Sequence, residues 1–234
     1  ASFILEDVII TFPPPEPEVF PKWLMYTIIG GSIALVAIIS FIIYKLTRPK
    51  PFEALMEKIT DEEIATYYSI MSPGVVLTIF DQKKGPIPII DDHSLSIARY
   101  RNRIAIGIEN FLLKIADQAY SSLGFEEHTD ERRTGSIRLP REQMIGMIHG
   151  IQLENKAARG GFENLSLIVL ADSEYGNLLL SYQDFLFEDI DKLISKLQSK
   201  KPLSEVQEIL SEIRRKSVIV MLAAQQYEET QNGK

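Results

Sequence analysis

The sequence predicts an α+β fold, in which one transmembrane helix is followed by a five-stranded antiparallel sheet with helices. Three observations lead to this prediction. A long uncharged segment lies near the start of the chain. Five short segments rich in β-branched residues come after it, separated and closed by segments with helical periodicity,. Prolines in two of the five segments predict which strands lie at the edges of the sheet.

The composition argues against several classes of function. The 234 residues include no cysteine, which excludes disulfides, thiolate nucleophiles and cysteine-ligated metal centres,. The net charge of −7 argues against nucleic-acid binding, because a polyanion requires a basic surface,. His93, His128 and His149 lack a second ligand at metal-binding spacing, and the acidic neighbours of His128 are interpreted as a solvated loop,. The sequence therefore predicts no enzyme, no metal and no cofactor.

The first predicted element is a membrane span over residues 23–44, WLMYTIIGGSIALVAIISFIIY, which carry no charge. A helix over Leu24–Tyr44 is ~32 Å long at ~1.5 Å per residue, which matches a hydrocarbon core of ~30 Å. Aromatic rings at its ends and basic residues after it are predicted to lie at the membrane interface. These residues are Trp23, Tyr26, Tyr44, Lys45, Arg48 and Lys50.

The positive-inside rule gives this span an orientation. Three basic residues follow it and only Lys22 precedes it, which predicts residues 45–234 in the cytoplasm of a cell-membrane protein,. Residues 1–22 are then an extracytoplasmic stalk or the end of a missing ectodomain. Residues 45–73 are a linker with short helices, and Thr60 with Glu63 has the spacing of a capping box,. Residues 74–231 form the cytoplasmic domain.

The domain begins with a predicted hairpin. VVLTIF, residues 75–80, is apolar on both faces and is typical of a central strand,. PIPII, residues 86–90, follows the turn DQKKG. Because proline has no N–H to donate to a neighbouring strand, this segment is predicted at an edge of the sheet.

A long helix is predicted next, with Asp91, Asp92 and Ser94 as N-cap candidates and Gly124 as its end,. Three strands follow, SIRLP (136–140), QMIGMIHGIQLE (143–154) and FENLSLIVLAD (162–172),. Two helices close the chain, the second with a Ser204/Gln207 capping box. The order is β-β-α-β-β-β-α-α. We expect VVLTIF to pair with LSLIVLA in the middle, with PIPII and SIRLP at the edges.

This element order, and the LTIFDQKKGPIPI hairpin in particular, resembles a longin-type domain of the longin/roadblock superfamily, found in trafficking proteins and their archaeal relatives. The roadblock alternative begins with an extra helix, which residues 61–71 are able to supply. The resemblance brings no catalytic residues. It implies a binding module that dimerises, docks small GTPases or their regulators, or binds short partner segments.

The candidate partner site is the SIRLP edge of the sheet. An unpaired edge strand allows a partner to extend the sheet, and a groove between Ile137, Leu139 and the long helix is the predicted docking site. Arg99 and Arg103 form a basic spot, interpreted either as surface ion pairs with Asp91, Asp92 or Glu109 or as contacts to anionic headgroups. The glycines of KAARGGFEN are interpreted as a hairpin loop, with a phosphate cradle as the alternative.

The sequence thus predicts a single-pass membrane protein whose cytoplasmic domain is a protein-interaction module. Its expected partners are the lipid bilayer and a protein, either a small GTPase or a second copy of the chain. The alternative is a receptor or sensor, in which an ectodomain binds a ligand and the cytoplasmic domain relays its state.

Overall fold

The computed structural model describes residues 51–125, 133–156 and 158–232. Five strands form one antiparallel sheet: β1 Gly74–Asp81, β2 Gly85–His93, β3 Arg133–Leu139, β4 Met144–Glu154 and β5 Phe162–Asp172. Their order across the sheet is β2-β1-β5-β4-β3. The predicted sheet is therefore confirmed, including the central pairing of β1 with β5 and the edge positions of β2 and β3.

Seven α-helices surround the sheet in the part of the chain that the structure describes. They are α1 Pro51–Met56, α2 Asp61–Met71, α3 Ala98–Arg101, α4 Ile108–Leu123, α5 Gly176–Ser181, α6 Phe187–Gln198 and α7 Leu203–Asn232. Short 3₁₀ turns cover Arg159–Gly161 and Gln183–Leu186. The short helices predicted within residues 45–73 are confirmed as α1 and α2, but the rest of the predicted order is too simple, because two helices lie between the halves of the sheet and three follow it.

The predicted fold class is wrong in placing a transmembrane helix before the sheet. No helix within the described ranges combines the length and the apolar character needed to cross a bilayer. The longest, α7, has 30 residues but carries 8 charged side chains. The structure is an α+β sheet with helices. Residues 23–44, on which the span was predicted, lie outside the described residues, and so do Trp23, Tyr26, Tyr44, Lys45, Arg48 and Lys50.

The sheet is buried on both faces because most positions of its central strands are apolar. On one face, Val76 of β1 packs in a cluster with Phe111 and Ile115 of α4. On the other face, Val75 and Leu77 pack in a cluster with residues of α1, α2, α5, α6 and α7. Phe52 of α1 is 6% exposed within this second cluster. The segment predicted as a linker therefore contributes to the core of the domain.

The predicted long helix after β2 is wrong in its first half. Asp91 and Asp92 belong to strand β2 and are not N-cap residues. The helix is divided into α3 and α4 because Gly107 adopts φ 79° and ψ 155°, a conformation in which a side chain is strained,. Ile104, which lies at helical spacing from the apolar Ile108 and Phe111 of α4, is nevertheless buried. The apolar periodicity thus continues through a segment whose backbone is not helical, and for this reason it predicts one helix where the structure has two.

The two predicted capping boxes differ in outcome. Thr60 accepts a hydrogen bond from the N–H of Glu63 while the Glu63 carboxylate accepts from the N–H of Thr60, which confirms the first box. The second is wrong. Helix α7 already begins at Leu203, so Ser204 lies within it, and the Gln207 amide donates to the Asp91 carbonyl of β2 at 2.8 Å.

Candidate functional site

The two edges of the sheet differ in what they offer a partner. Strand β2 is the outer neighbour of β1, and its Pro86 and Pro88 pair with Phe80 and Thr78 on that side only. A proline has no N–H, so these positions present acceptors without donors to an incoming strand. The prediction that the PIPII segment forms a proline-blocked edge is confirmed. A partner strand has little to pair with there.

The opposite edge, strand β3, contains no proline between Arg133 and Leu139. It pairs with β4 along its whole length, and no further strand of the described residues lies on its other side. Pro140 follows the strand and lies in the turn to β4, where its carbonyl accepts from the N–H of Gln143. The main chain of β3 therefore presents both donors and acceptors outward.

Exposed and buried side chains alternate along the β3 edge. Thr134, Ser136 and Arg138 are exposed, whereas Ile137 and Leu139 are 7% and 1% exposed. The two buried residues pack with α4, and Ile137 fills the space above Gly146, where a Cβ atom would lie 2.8 Å from Ile137 Cγ1. The predicted groove lined by Ile137 and Leu139 is thus filled by core packing. What remains open at this edge is main chain and polar side chains.

The predicted basic spot is tied to a buried carboxylate. Arg99 Nε and Nη2 lie 3.1 and 3.0 Å from Asp172 Oδ2, and Arg103 Nη1 lies 2.9 Å from the same oxygen. The partner is therefore Asp172 at the end of β5, not the predicted Asp91, Asp92 or Glu109. Burial lowers the pKa of Arg99, but the hydrogen bond and charge of Asp172 outweigh this effect and leave the pKa above its usual value,.

A second polar cluster joins both ends of the domain. Arg214 of α7 is 1% exposed, and its Nε and Nη2 donate to the Ser72 carbonyl at 3.1 and 2.8 Å. Its Nη1 lies 2.7 Å from Asp92 Oδ1, and its Nη2 lies 2.6 Å from Ser94 Oγ. The guanidinium carbon lies 4.3 Å from the centroid of the Tyr68 ring. These contacts, called here the Arg214 cluster, join α7 to the end of α2 and to β2.

The Tyr68 hydroxyl belongs to this cluster and donates to Asp92 Oδ2 at 3.0 Å. Burial raises the pKa of Tyr68 to about 12, and the positive charge of Arg214 opposes part of that rise,. Tyr68 is therefore neutral at physiological pH, which suits a hydrogen-bond donor in the interior.

The histidines do not form a metal centre in the described part of the chain, where no group of three His, Cys, Asp or Glu side chains is placed to hold an ion. His93 lies at the end of β2, and His149 lies on β4 with its ring 5.9 Å from that of Phe187. His128 and its acidic neighbours lie outside the described residues. Gly160 and Gly161 of the KAARGGFEN segment lie in the loop between β4 and β5 and have φ 82° and 83°. These positive φ values agree with the interpretation of the segment as a hairpin loop.

Sequence reasoning missed Asp172 and Arg214. Asp172 is the last residue of an apolar strand, and Arg214 is one of two adjacent arginines in a helix, so neither stands out in the sequence. Their hydrogen-bond partners are 69 to 142 positions away along the chain. The chain matches none of the protein-family models and none of the curated protein sequences with which it was compared.

Proposed function

We propose that the domain is a protein-interaction module that binds its partner by adding a strand to the β3 edge. The observation that carries this proposal is the difference between the two edges. Strand β2 carries Pro86 and Pro88, whereas β3 has an N–H group at each of its positions from Arg133 to Leu139. A sheet with one blocked and one open edge accepts an added strand on one side only.

The strength of such a contact is set by the main chain. About half of the residues of an edge strand direct their N–H and C=O outward, which for the 7 residues of β3 is three or four positions,. Each hydrogen bond formed contributes about 0.5–1.5 kcal/mol net. Additional affinity must come from side chains, and the exposed Thr134, Ser136 and Arg138 favour a polar or acidic partner strand over an apolar one.

The class of partner is proposed from the resemblance to longin-type domains. That resemblance supports a small GTPase, a regulator of one, or a second copy of this chain as the partner. Strand addition at β3 is compatible with each of them. For a second copy, antiparallel pairing of β3 with itself about Ser136 places Arg138 opposite Thr134, which avoids contact between like charges,.

The test changes the edge without changing the core. Lysines on an edge strand oppose strand addition, so the double variant Thr134→Lys/Ser136→Lys is expected to lose the partner. The matched control is Gln225→Lys/Thr230→Lys, which adds the same charge at exposed positions of α7. Sedimentation of the full chain measures self-association, and quantitative affinity capture from an extract of the source cells measures other partners.

Loss of one captured protein or of the dimer in the edge variant alone supports the proposal. If the edge variant and the control keep the same partners and the same oligomeric state as the wild type, strand addition at β3 is refuted.

A further inference from the structure

The two central strands separate at one end of the sheet. The β1–β5 ladder ends where Ile79 pairs with Leu165. Strand β1 remains paired with β2 as far as Asp81, and β5 is paired with β4 from Phe162 onward. Each hairpin thus continues for two or three residues beyond the point where the central ladder stops. The gap between them, between 80–81 on one side and 162–164 on the other, is called here the hairpin fork.

One face of the fork, the face covered by α4, is aromatic. Successive residues of a strand point to opposite faces, so Phe80, Phe162 and Asn164 lie on the face covered by α4,. The Phe80 ring stacks on Tyr120 of α4, with centroids 4.4 Å apart and planes at 17°. Phe80 is nevertheless 36% exposed, which is unusual for a phenylalanine in the second strand from the edge,.

The other face of the fork is polar. Asp81 and Glu163 lie there, on opposite sides of the gap, with Lys83 in the adjoining turn. The Asp81 carboxylate accepts from the N–H groups of Lys83 and Lys84 at 2.8 Å, and Glu163 accepts from the Asn155 amide at 2.6 Å. Both carboxylates therefore stay fixed at the mouth of the fork. The cleft has a volume of ≈ 950 Å³, within the ~300–1,000 Å³ typical of ligand sites.

We propose that the hairpin fork binds the N-terminal end of an extended polypeptide. The sides of the fork are strands, so the ligand whose donors and acceptors match their spacing is another peptide main chain. The ladder closes at Ile79 and Leu165, so an entering chain ends at that point and does not pass through. An apolar or aromatic side chain of the ligand lies against Phe80 and Phe162, and a basic side chain on its other face lies near Asp81 and Glu163.

This site is separate from the β3 edge, because β4 lies between β5 and β3 in the sheet. It does not depend on the function proposed above. The two sites also differ in chemistry. The β3 edge is lined by polar side chains and accepts a strand alongside it, whereas the fork has an aromatic side and accepts a chain end.

The probe for the test is a library of random linear heptapeptides displayed on phage with free N-termini, selected against the full chain. Synthetic copies of enriched peptides are measured by fluorescence anisotropy. We expect an apolar residue within the first three positions. We expect the bound peptide to slow deuterium uptake in the segments 78–84 and 160–166, because main-chain hydrogen bonds protect amides from exchange.

Two variants test the aromatic side. Phe80→Ala is expected to weaken the peptide by about tenfold or more, the loss that corresponds to a buried aromatic side chain. Phe80→Leu, which keeps an apolar side chain against α4, is expected to weaken it less and guards against simple unfolding of the alanine variant. The control Leu203→Ala removes an apolar side chain that is 63% exposed on α7, and it is expected to leave binding unchanged.

Three results overturn the proposal. In the first, no peptide is enriched on the wild type relative to the Phe80→Ala protein. In the second, the enriched peptide binds the wild type and both Phe80 variants with equal affinity. In the third, the bound peptide protects residues 133–139 from exchange and leaves the fork unprotected. The last result refutes the fork as the site while supporting strand addition at β3, so the failures of the two proposals are distinguishable.

Discussion

Replacing Arg214 by methionine tests whether the Arg214 cluster holds the domain together. The substitution keeps an unbranched side chain in the buried space of α7 but removes every polar contact of the guanidinium group. The Ser72 carbonyl loses two donors, and Asp92 loses its cationic partner at 2.7 Å. Breaking a buried ion pair by removing one partner costs about 3–5 kcal/mol. Asp92 is 20% exposed, so water reaches it and we expect a value near the lower end, about 3 kcal/mol,.

The assay is urea unfolding of the wild type and the variant, followed by far-UV circular dichroism. Arg215→Met is the matched control, because the neighbouring arginine is 53% exposed and pairs with the exposed Asp61. Exposed pairs of this kind contribute about 0–1 kcal/mol. Arg214→Lys keeps the positive charge but loses the planar set of N–H donors of the guanidinium group, and we expect about 1–3 kcal/mol of destabilisation.

A double-mutant cycle with Asp92→Asn separates the ion pair from the contact to the Ser72 carbonyl. The two single changes should be non-additive, because they remove the same contact. If Arg214→Met destabilises the domain no more than Arg215→Met does, the cluster contributes little to folding and the reasoning from its burial and geometry is refuted.

Three further predictions concern pH and backbone conformation. Because burial raises the pKa of Tyr68 to about 12, Tyr68 ionises first in the unfolded chain, so its contribution to stability is complete below about pH 10 and falls as the pH rises toward 12,. In urea unfolding across this range, the free energy of unfolding should fall less steeply with pH for Tyr68→Phe than for the wild type, and an equally steep fall contradicts the assignment. Burial alone would raise the pKa of Asp189, but hydrogen bonds from Lys216 and Lys192 outweigh the effect of burial and hold the pKa below its usual value, so the contribution of Asp189 to stability is present above about pH 4 and lost in acid,. Asp189→Asn should therefore lower the melting temperature at pH 7 but not at pH 2, and equal decreases at the two pH values refute this prediction. Gly107→Ala should cost about 1–3 kcal/mol in urea unfolding because its φ is 79°, whereas Ala105→Gly in the same loop serves as a control with a smaller effect,.

The sheet was predictable because its signals are local. VVLTIF and LSLIVLA are each apolar at all positions but one, which indicates strands buried on both faces, and the two prolines of PIPII exclude a second neighbouring strand,. The order of all five strands follows from these two observations and short hairpin connections. The position of the helices was less predictable. Apolar residues on both sides of Gly107 keep a helical spacing, although the backbone there is not helical.

The candidate site was predicted only in part. The edge position of β3 was predicted from Pro140, which lies just after the strand, but the burial of Ile137 and Leu139 depends on α4 lying directly above them. The expectation that Arg99 and Arg103 pair with nearby acids was wrong, because their partner is Asp172 in a strand far along the chain. Spacing rules predict ion pairs between residues three or four positions apart on a helix, whereas these contacts depend on how the sheet brings distant strand ends together.

The contact between Arg214 and the Ser72 carbonyl also constrains the order of events during synthesis. The two residues are 142 positions apart. At roughly 5–20 residues per second, a ribosome reaches Arg214 roughly 7–30 s after it has made Ser72. Throughout that interval the junction between α2 and β1 lacks the side chain that fixes it, so this contact forms only after α7 has been made, late in the synthesis of the domain.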